Sequence, residues 1–334
     1  METERKNLEK RNDEIKINVK KMDKHLIKIT LIILLSYIFF SFAFIRNKIF
    51  INNLNKNMNI TNLIKSEKNS KVIDCVLVKN LFINRTHPFD FENELLYFTN
   101  LISCKIPFSF IRFADGENLI MKGQRINSPD KWDWNPNNKK FQDSLIKSVS
   151  ICQKDYSFIG IPCKNWIHIS KSILSFSKCS SAKYMTYSTL FVNKNYPIFK
   201  DWITSFINTS NRWKIILVAN WIINKNITWA YKFFPVPDHV VENYDNYSIS
   251  LLSELSHQAK QNDLIFFISA GPAANIIISY LAEINNNNIY IDFGSSIEFI
   301  TKGYSTRDYA HNGKTSNFSC EPFFIQNNTL IYMK

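Results

Sequence analysis

The sequence contains few glycines and lacks the short motifs of several large enzyme classes. Only 7 of its 334 residues are glycine. It contains neither the Gly-rich phosphate loop of P-loop proteins nor the Gly-x-Gly-x-x-Gly turn of dinucleotide-binding enzymes. The Gly-x-Ser-x-Gly elbow and the His-Glu-x-x-His helix are missing too. These absences argue against the common nucleotide triphosphatases, nicotinamide enzymes, and serine and zinc hydrolases.

Acidic residues are also scarce. The sequence has 28 Asp and Glu residues against 41 Lys and Arg residues, which gives a formal net charge of +13. Residues 1–70 hold 14 of these basic and 7 of these acidic side chains. The other 264 residues are therefore only mildly basic. Just over half of the excess, +7 of +13, lies in these 70 residues, so the charge gives little support to nucleic-acid binding by the rest of the chain. We expect no nucleic-acid partner.

Six cysteines occur, and none of them forms a Cys-x-x-Cys pair. That spacing argues against a zinc site. An even number permits disulfides in an oxidising compartment, with 15 possible connectivities if all six pair. Seven Asn-x-Ser/Thr acceptor sequences occur. About five would arise by chance in so Asn-rich a chain, so they do not establish a lumenal location.

One apolar run of 17 residues, from Ile29 to Ile45, has no charged side chain. With Leu26 and Ile27 included it reaches about 20 residues, which is enough to cross a bilayer. A cleaved signal peptide is the alternative, but the polar arm of about 25 residues is long for one and no small-x-small site follows. Five lysines lie at positions 16–28, just before the run, and three basic residues lie at positions 46–56, just after it. The positive-inside rule then predicts a cytoplasmic N-terminus.

This run divides the chain into four predicted regions. They are a basic cytoplasmic arm (1–25), a transmembrane signal anchor (26–46), an Asn-rich stem (47–70) and a globular domain (71–334). We therefore expect a single-pass membrane protein whose C-terminal domain is lumenal or extracytoplasmic, as in the ER or Golgi.

The globular region alternates short runs rich in β-branched and aromatic residues with longer helical patterns. This alternation predicts an α/β fold, with a Rossmann-like, mostly parallel sheet and helices on both faces. Predicted strands are 108–113, 156–161, 183–186, 214–219, 232–236, 264–269 and 288–293. Predicted helices are 141–152, 197–208, 248–261 and 273–283. Ligands of such sheets bind beyond the carboxyl ends of the strands.

The first predicted strand ends at Arg112 and is followed by Asp115-Gly116-Glu117. Two carboxylates that flank a glycine can hold Mn²⁺ or Mg²⁺, which prefer oxygen ligands and are commonly completed by substrate phosphates. Arg112 can balance these carboxylates or clamp a phosphate. The alternative is structural: Asp115 caps the following helix and Glu117 complements its dipole, which requires no ligand.

Gly271-Pro272-Ala273 follows a buried strand and opens a helix, with Pro272 at the predicted first helical position. The free N–H groups and the dipole at this helix N-terminus can hold a phosphate or carboxylate, and Gly271 permits close approach of a ligand. The alternative is an ordinary tight turn between a strand and a helix.

Other polar side chains follow the remaining strands. Asp292 ends the last strand, and it can accept a sugar or ribose hydroxyl, act as a base or cap a helix. Glu298 lies close behind it. Asn220 and His239 follow two further strands. A lone His239 is more often an ordinary loop histidine than a catalyst.

The order of these motifs resembles that of the GT-D fold glycosyltransferases, a family formerly described as domain of unknown function 1792. The resemblance covers about residues 108–300. It depends on segments 110–117, 158–162, 187–193, 214–218, 237–244, 271–274 and 292–294, in that order. It implies a Rossmann-like domain that uses an Asp-x-Glu pair with Mn²⁺ to bind a UDP-sugar and transfer the sugar. Asp115 and Glu117 match that pair.

The chain departs from the family pattern at three places. Ala114 stands where the family tends to have a glycine before the Asp, and Ser295 stands where it often has a histidine. Residues 220–225 replace a Gly-rich segment that contains an arginine. The departures leave both carboxylates of the Asp-x-Glu pair in place and change the segment concerned with sugar recognition.

The resemblance implies a metal-dependent, hexosyltransferase-like glycosyltransferase with a nucleotide-sugar donor and a glycan or glycoprotein acceptor. The predicted site residues are Asp115 and Glu117 for Mn²⁺ or Mg²⁺, Arg112, Asn220, His239, Gly271, Pro272, Ala273 and Asp292 for the nucleotide, and Asp292, Glu298 and Arg112 for catalysis. Two alternatives remain open. One is a membrane-tethered nucleotide or sugar binding protein without turnover, and the other is a metal-dependent phosphoesterase.

Overall fold

A computed structural model describes residues 73–127, 133–177, 179, 181–209, 213–222, 227–305, 307–311, 318–326 and 329–332. These residues belong to one compact unit, Val72–Lys334. The predicted arm, transmembrane anchor and stem lie outside the described residues. In the part of the chain that is described, no helix combines the length and the apolar character needed to span a bilayer.

Seven strands form one sheet in the order β3-β2-β1-β7-β6-β4-β5, and each neighbouring pair in it is parallel. The strands are β1 Phe108–Arg112, β2 Ser157–Ile161, β3 Met185–Tyr187, β4 Lys214–Asn220, β5 Lys232–Val236, β6 Leu264–Ser269 and β7 Ile289–Asp292. The predicted α/β class and mostly parallel sheet are confirmed. An antiparallel hairpin follows, formed by β8 Phe323–Gln326 and β9 Thr329–Tyr332.

Helices connect the strands. They are α1 Cys75–Asn84, α2 Phe91–Ser103, α3 Asp115–Met121, α4 Lys139–Val149, α5 Ile167–Phe176, α6 Tyr196–Thr209, α7 Tyr244–Ala259, α8 Ala273–Ile284, α9 Glu298–Thr301 and α10 Asp308–His311. The four predicted helices correspond to α4, α6, α7 and α8. Strand β3 starts two residues later than predicted, because Ala182–Tyr184 form a 3-10 turn in which the Ser181 hydroxyl accepts the Lys183 N–H at 3.1 Å.

Helices pack against the sheet in two groups. The ring of Phe98 in α2 contacts Phe110 in β1, and the ring of Phe206 in α6 contacts Phe267 in β6. Phe110 and Phe267 are both in register with Ile291, so α2 and α6 cover the same face. Helices α4, α7 and α8 contact one another, and α8 also contacts β1 and β7. Right-handed crossovers place this second group on the opposite face.

All six cysteines pair. The pairs are Cys75–Cys104, Cys152–Cys179 and Cys163–Cys320, with Cα–Cα distances of 5.4, 5.9 and 5.2 Å. Such distances suit a disulfide without backbone movement. Two of the pairs lie on the side where the strands begin. The third joins the segment after β2 to the segment that leads into β8, at the carboxyl edge of the sheet.

A buried ion pair ties the first described helices to the sheet. Arg85 donates to both carboxylate oxygens of Glu94, at 2.8 and 2.7 Å, and neither side chain is exposed. The same guanidinium donates to the carbonyls of Lys183 and Met185, at 2.8 and 2.6 Å. The segment before α2 is therefore anchored to the start of β3.

Candidate functional site

Arg112 and Asp292 form an ion pair where the adjacent strands β1 and β7 end. Arg112 Nε lies 3.1 Å from Asp292 Oδ2, and Nη2 lies 3.3 Å from Oδ1. The third nitrogen, Nη1, donates to the Ser188 carbonyl at 3.2 Å, in the loop after β3. The two charged side chains are only 17% and 6% exposed. Contacts from three strand ends thus fix the guanidinium in one orientation.

Gly294 makes this arrangement possible. Its φ is +52°, a backbone conformation that favours glycine, and its N–H donates to Asp292 Oδ1 at 2.9 Å. A Cβ built at this position would lie 1.9 Å from Arg112 Nη2. Any other residue here would displace the guanidinium or the turn after β7.

Asn275, in the first turn of α8, attaches that helix to the end of β1. Its Oδ1 accepts the Arg112 N–H at 3.1 Å, and its Nδ2 donates to the Arg112 carbonyl at 2.7 Å. Asn275 is fully buried. It brings the predicted turn of Gly271, Pro272 and Ala273 to the same edge as Arg112. This residue was not predicted from the sequence, in which the available signal was a single amide near the start of a largely apolar helix.

Glu117 lies close enough to this pair to interact with it electrostatically. Loss of hydration raises the pKa of the Glu117 carboxyl to about 7; the charge of Asp292 adds to the increase, whereas backbone hydrogen bonds and Arg112 oppose it. Glu117 Oε2 accepts the Ala114 N–H at 2.9 Å and so closes the first turn of α3. Glu117 is therefore a carboxylate whose charged form is disfavoured mainly by burial.

Asp115 is the first residue of α3 and is exposed. Within the described residues its carboxylate makes no side-chain hydrogen bond. The structural alternative predicted that Asp115 caps the helix, but the capping contact belongs to Glu117. The oxygens of Asp115 are consequently available to a ligand.

Asp115 and Glu117, two residues apart in the first turn of α3, offer carboxylate oxygens of the kind that bind divalent cations. In the ranges that the structure describes, no cluster of three or more His, Cys, Asp or Glu side chains is arranged to hold a metal ion. Mg²⁺ and similar ions are commonly bound by one or two carboxylates together with substrate phosphates. Asp115, which is exposed, and Glu117, whose charged form is disfavoured by burial, provide two carboxylates of this kind.

Asp292 and Glu298, the two candidate bases, have different surroundings. Burial raises the pKa of Asp292, although Arg112 and the Gly294 N–H oppose the change. Glu298 is buried, with Oε1 3.3 Å from Lys302 Nζ and Oε2 3.3 Å from the Ser305 hydroxyl. The contacts of Asp292 with Arg112 favour a positioning role for Asp292. The base role of either residue stays a prediction.

Asn220 and His239 belong to a second polar group, at the ends of β4 and β5. Asn220 Nδ2 donates to Asp238 Oδ1 at 2.5 Å, and the Trp221 indole N–H donates to Asp238 Oδ2 at 3.2 Å. His239 is 55% exposed, and its Nδ1 lies 3.2 Å from Glu242 Oε1. Strand β6 separates this group from β7. The predicted site residues therefore form two groups along one edge of the sheet.

The fold and the order of the site residues agree with the family comparison. The family described as GT-D fold-like domain matches residues 96–300. The chain belongs to this GT-D-like family, as its sequence motifs predicted, and membership indicates a glycosyltransferase.

Two solved structures are similar to the chain, each at 18% identity, 67% coverage of this chain and a TM-score of 0.43. One is described as the highly conserved domain of unknown function 1792 with a distinct glycosyltransferase fold, and 83% of it is covered. The other is the selenomethionine-substituted structure of domain of unknown function 1792, and 84% of it is covered. No curated protein matches the chain significantly.

Proposed function

We propose that the chain is a metal-dependent glycosyltransferase that moves a hexose from a nucleotide-sugar donor, a UDP-sugar, to a glycan or glycoprotein acceptor. The observation that carries this proposal is the grouping of Arg112, Asp292, Glu117 and Asp115 at the ends of β1 and β7, in a chain of the GT-D-like family. That edge of the sheet is where ligands of such folds bind.

Asp115 and Glu117 would hold Mn²⁺ or Mg²⁺, which supplies positive charge against a departing diphosphate. Arg112 supplies a second, permanent charge. A guanidinium has five N–H donors, and three of its contacts here go to Asp292 and Ser188. Two donors remain for phosphate oxygens. Because Asp292 and Asn275 already fix this residue, Arg112 requires little rearrangement to stabilise developing negative charge.

The first turn of α8 supports the same role. Asn275 holds this turn against Arg112, and Gly271 is exposed at its start with a φ of +51°. An N-terminus of a 12-residue helix attracts a phosphate through its N–H groups and dipole. Helix α8 begins at Ala273, one residue after Pro272.

Acceptor activation in an inverting transfer requires a base. Asp292 and Glu298 are the candidates. Burial raises the pKa of Asp292, which favours proton uptake, whereas its ion pair with Arg112 favours the charged form. Glu298 is held by Lys302 and Ser305, and its removal would leave Arg112 in place.

The three disulfides support an oxidising compartment for the domain. This agrees with the predicted cytoplasmic arm, single membrane anchor at 26–46 and lumenal or extracytoplasmic domain. A membrane-anchored transferase placed there would meet glycan and glycoprotein acceptors.

A transfer assay tests the proposal. The purified full-length chain is incubated with a panel of nucleotide sugars and acceptor glycans, and nucleoside diphosphate release is measured with EDTA or with added Mn²⁺. We expect release that requires both an acceptor and the metal. Asp115→Asn and Glu117→Gln should abolish it, whereas Asp201→Asn, an exposed acidic residue on α6, should not.

The alternatives give different results. Release that proceeds equally well without an acceptor would indicate a phosphoesterase. Metal-dependent nucleotide binding without any release would indicate a binding protein. Full activity in both carboxylate variants would refute the proposed metal site.

A further inference from the structure

Trp221, the residue directly after β4, exposes most of its indole. It is 63% exposed, and its neighbour Ile222 is 53% exposed. Among the described residues, Trp221 has no ring-to-ring contact. Large apolar side chains that remain exposed at an edge where ligands bind are candidates for a contact surface.

The indole is nevertheless held in place. Its Nε1–H donates to Asp238 Oδ2 at 3.2 Å, and the Trp221 backbone N–H donates to the Val236 carbonyl at 3.0 Å. The other oxygen of Asp238 accepts from Asn220 Nδ2 at 2.5 Å. Trp221 is thus fixed through its ring nitrogen and its backbone, while the faces of the ring stay open. A fixed aromatic face loses little entropy when a flat ligand stacks on it.

Trp221 lies at the same edge of the sheet as the proposed phosphate-binding elements, which are Arg112 and the start of α8. The sheet order β7-β6-β4 places the end of β4 two strands, about 10 Å, from the end of β7. The turn of Gly271 to Ala273, after β6, lies between them. A nucleoside diphosphate is an elongated ligand with its base one ribose away from the phosphates. With the diphosphate near Arg112 and the start of α8, a base one ribose away can reach the end of β4.

We infer that Trp221 is the stacking platform for the nucleobase of the donor, and that Asp238 and Asn220 fix the platform and present polar atoms beside it. This inference rests on the proposed function and deepens it. Every base has a flat face that can stack on an aromatic side chain, so stacking alone does not select one base. The polar side chains beside Trp221 would make that selection.

Trp166 provides a matched control. It is 50% exposed and follows β2 at the same edge of the sheet. Strands β1 and β7 separate it from β6 and the start of α8. It therefore lies on the other side of the phosphate-binding elements and should not contact the base.

The test compares a ligand that has a base with one that lacks it. Affinities of the full-length chain for UDP, for GDP and for inorganic pyrophosphate are measured by calorimetry in the presence of Mn²⁺. We expect Trp221→Ala to weaken binding of the preferred nucleotide roughly 5- to 150-fold and to leave pyrophosphate binding unchanged. Trp221→Phe should retain much of the affinity, and Trp166→Ala should match the wild type.

Other outcomes overturn the inference. Unchanged nucleotide affinity in Trp221→Ala would do so, as would equal losses for nucleotide and pyrophosphate. In the transfer assay, a loss confined to the KM of the acceptor would assign Trp221 to the acceptor and refute the platform. If the wild-type chain bound no nucleotide at all, the proposed function itself would fail. Nucleotide binding that is indifferent to Trp221 would refute only the platform.

Discussion

Gly294 and Arg112 approach each other so closely that no side chain fits between them. A Cβ at position 294 would lie 1.9 Å from Arg112 Nη2, and the backbone there has a φ of +52°. The Gly294 N–H also donates to Asp292, the partner of Arg112. The turn after β7 and the ion pair between β1 and β7 therefore depend on one glycine.

Gly294→Ala should disrupt the candidate site. The added methyl group strains the backbone and displaces the guanidinium, so we expect a loss of about 1–3 kcal/mol in the free energy of unfolding. A misplaced charge at the reacting group should lower kcat about 100-fold. Steady-state kinetics and urea denaturation measure the two effects.

Gly123→Ala is the control for Gly294→Ala. Its φ is +72°, but an added Cβ would meet only Gln142 Nε2, at 3.4 Å. It should lose stability and keep kcat. Equal kcat in the two variants would contradict the role given to Gly294.

Asn275→Ala should impair both stability and activity. It removes the partners of the Arg112 N–H and carbonyl, at a cost of about 1–3 kcal/mol for each buried group left unsatisfied. Asn288→Ala is the matched control, because its buried amide likewise bonds the Leu264 N–H and the Ala259 carbonyl, on the side where the strands begin. Both variants should unfold at lower urea concentrations. Only Asn275→Ala should reduce kcat, and an equal reduction in the two would contradict the role of Asn275 in fixing Arg112.

Removal of the Cys163–Cys320 disulfide by a double Ser substitution should cost more than removal of either other pair. Chain entropy predicts about 5 kcal/mol for the sequence separation of 157 and about 3.5 kcal/mol for the separations of 29 and 27. Thr189 Oγ1 lies 3.5 Å from Cys163 Sγ and 3.3 Å from Cys320 Sγ, next to the Ser188 carbonyl that holds Arg112. We expect this variant alone to lose kcat at a temperature where all variants are folded. An unchanged kcat would show that this disulfide does not influence the candidate site.

Glu94→Gln should destabilise the fold by about 3–5 kcal/mol, because it leaves Arg85 buried without its charge partner. Glu92→Gln, two residues earlier in α2, removes only an exposed pair with Lys194 and should cost less than about 1 kcal/mol. Urea denaturation of the two variants tests the difference. Similar midpoints would show that the buried Arg85–Glu94 pair stabilises the fold no more than the exposed pair does.

Much of the sheet could be predicted from sequence because its strands are short apolar runs bounded by polar residues. The predicted bounds of β5 and β6 are those of the structure. Helix α2 was not predicted, although its buried residues Leu95, Phe98, Leu101 and Ile102 recur at helical spacing. The capping role of Glu117 was also not predictable from an Asp-x-Glu pattern, which suits either residue as a cap.

The site could be predicted residue by residue but not as an arrangement. Arg112 and Asp292 are 180 positions apart, and only the strand order β2-β1-β7 makes them neighbours. Asn275 and the close approach of Gly294 likewise depend on tertiary packing. Cysteine spacing left 15 connectivities open, and the disulfide pairing follows from the fold alone.

The most direct test of a metal-dependent nucleotide site is the thermal unfolding midpoint of the full-length chain. It is measured with Mn²⁺ or EDTA, against a panel of nucleotides that includes UDP and GDP. A ligand that binds the native state raises the midpoint. We expect a rise with one nucleoside diphosphate that requires Mn²⁺, is lost in Asp115→Asn and Glu117→Gln, and persists in Asp201→Asn. A folded protein whose midpoint no nucleotide raises, or a rise that survives in both carboxylate variants, would contradict it.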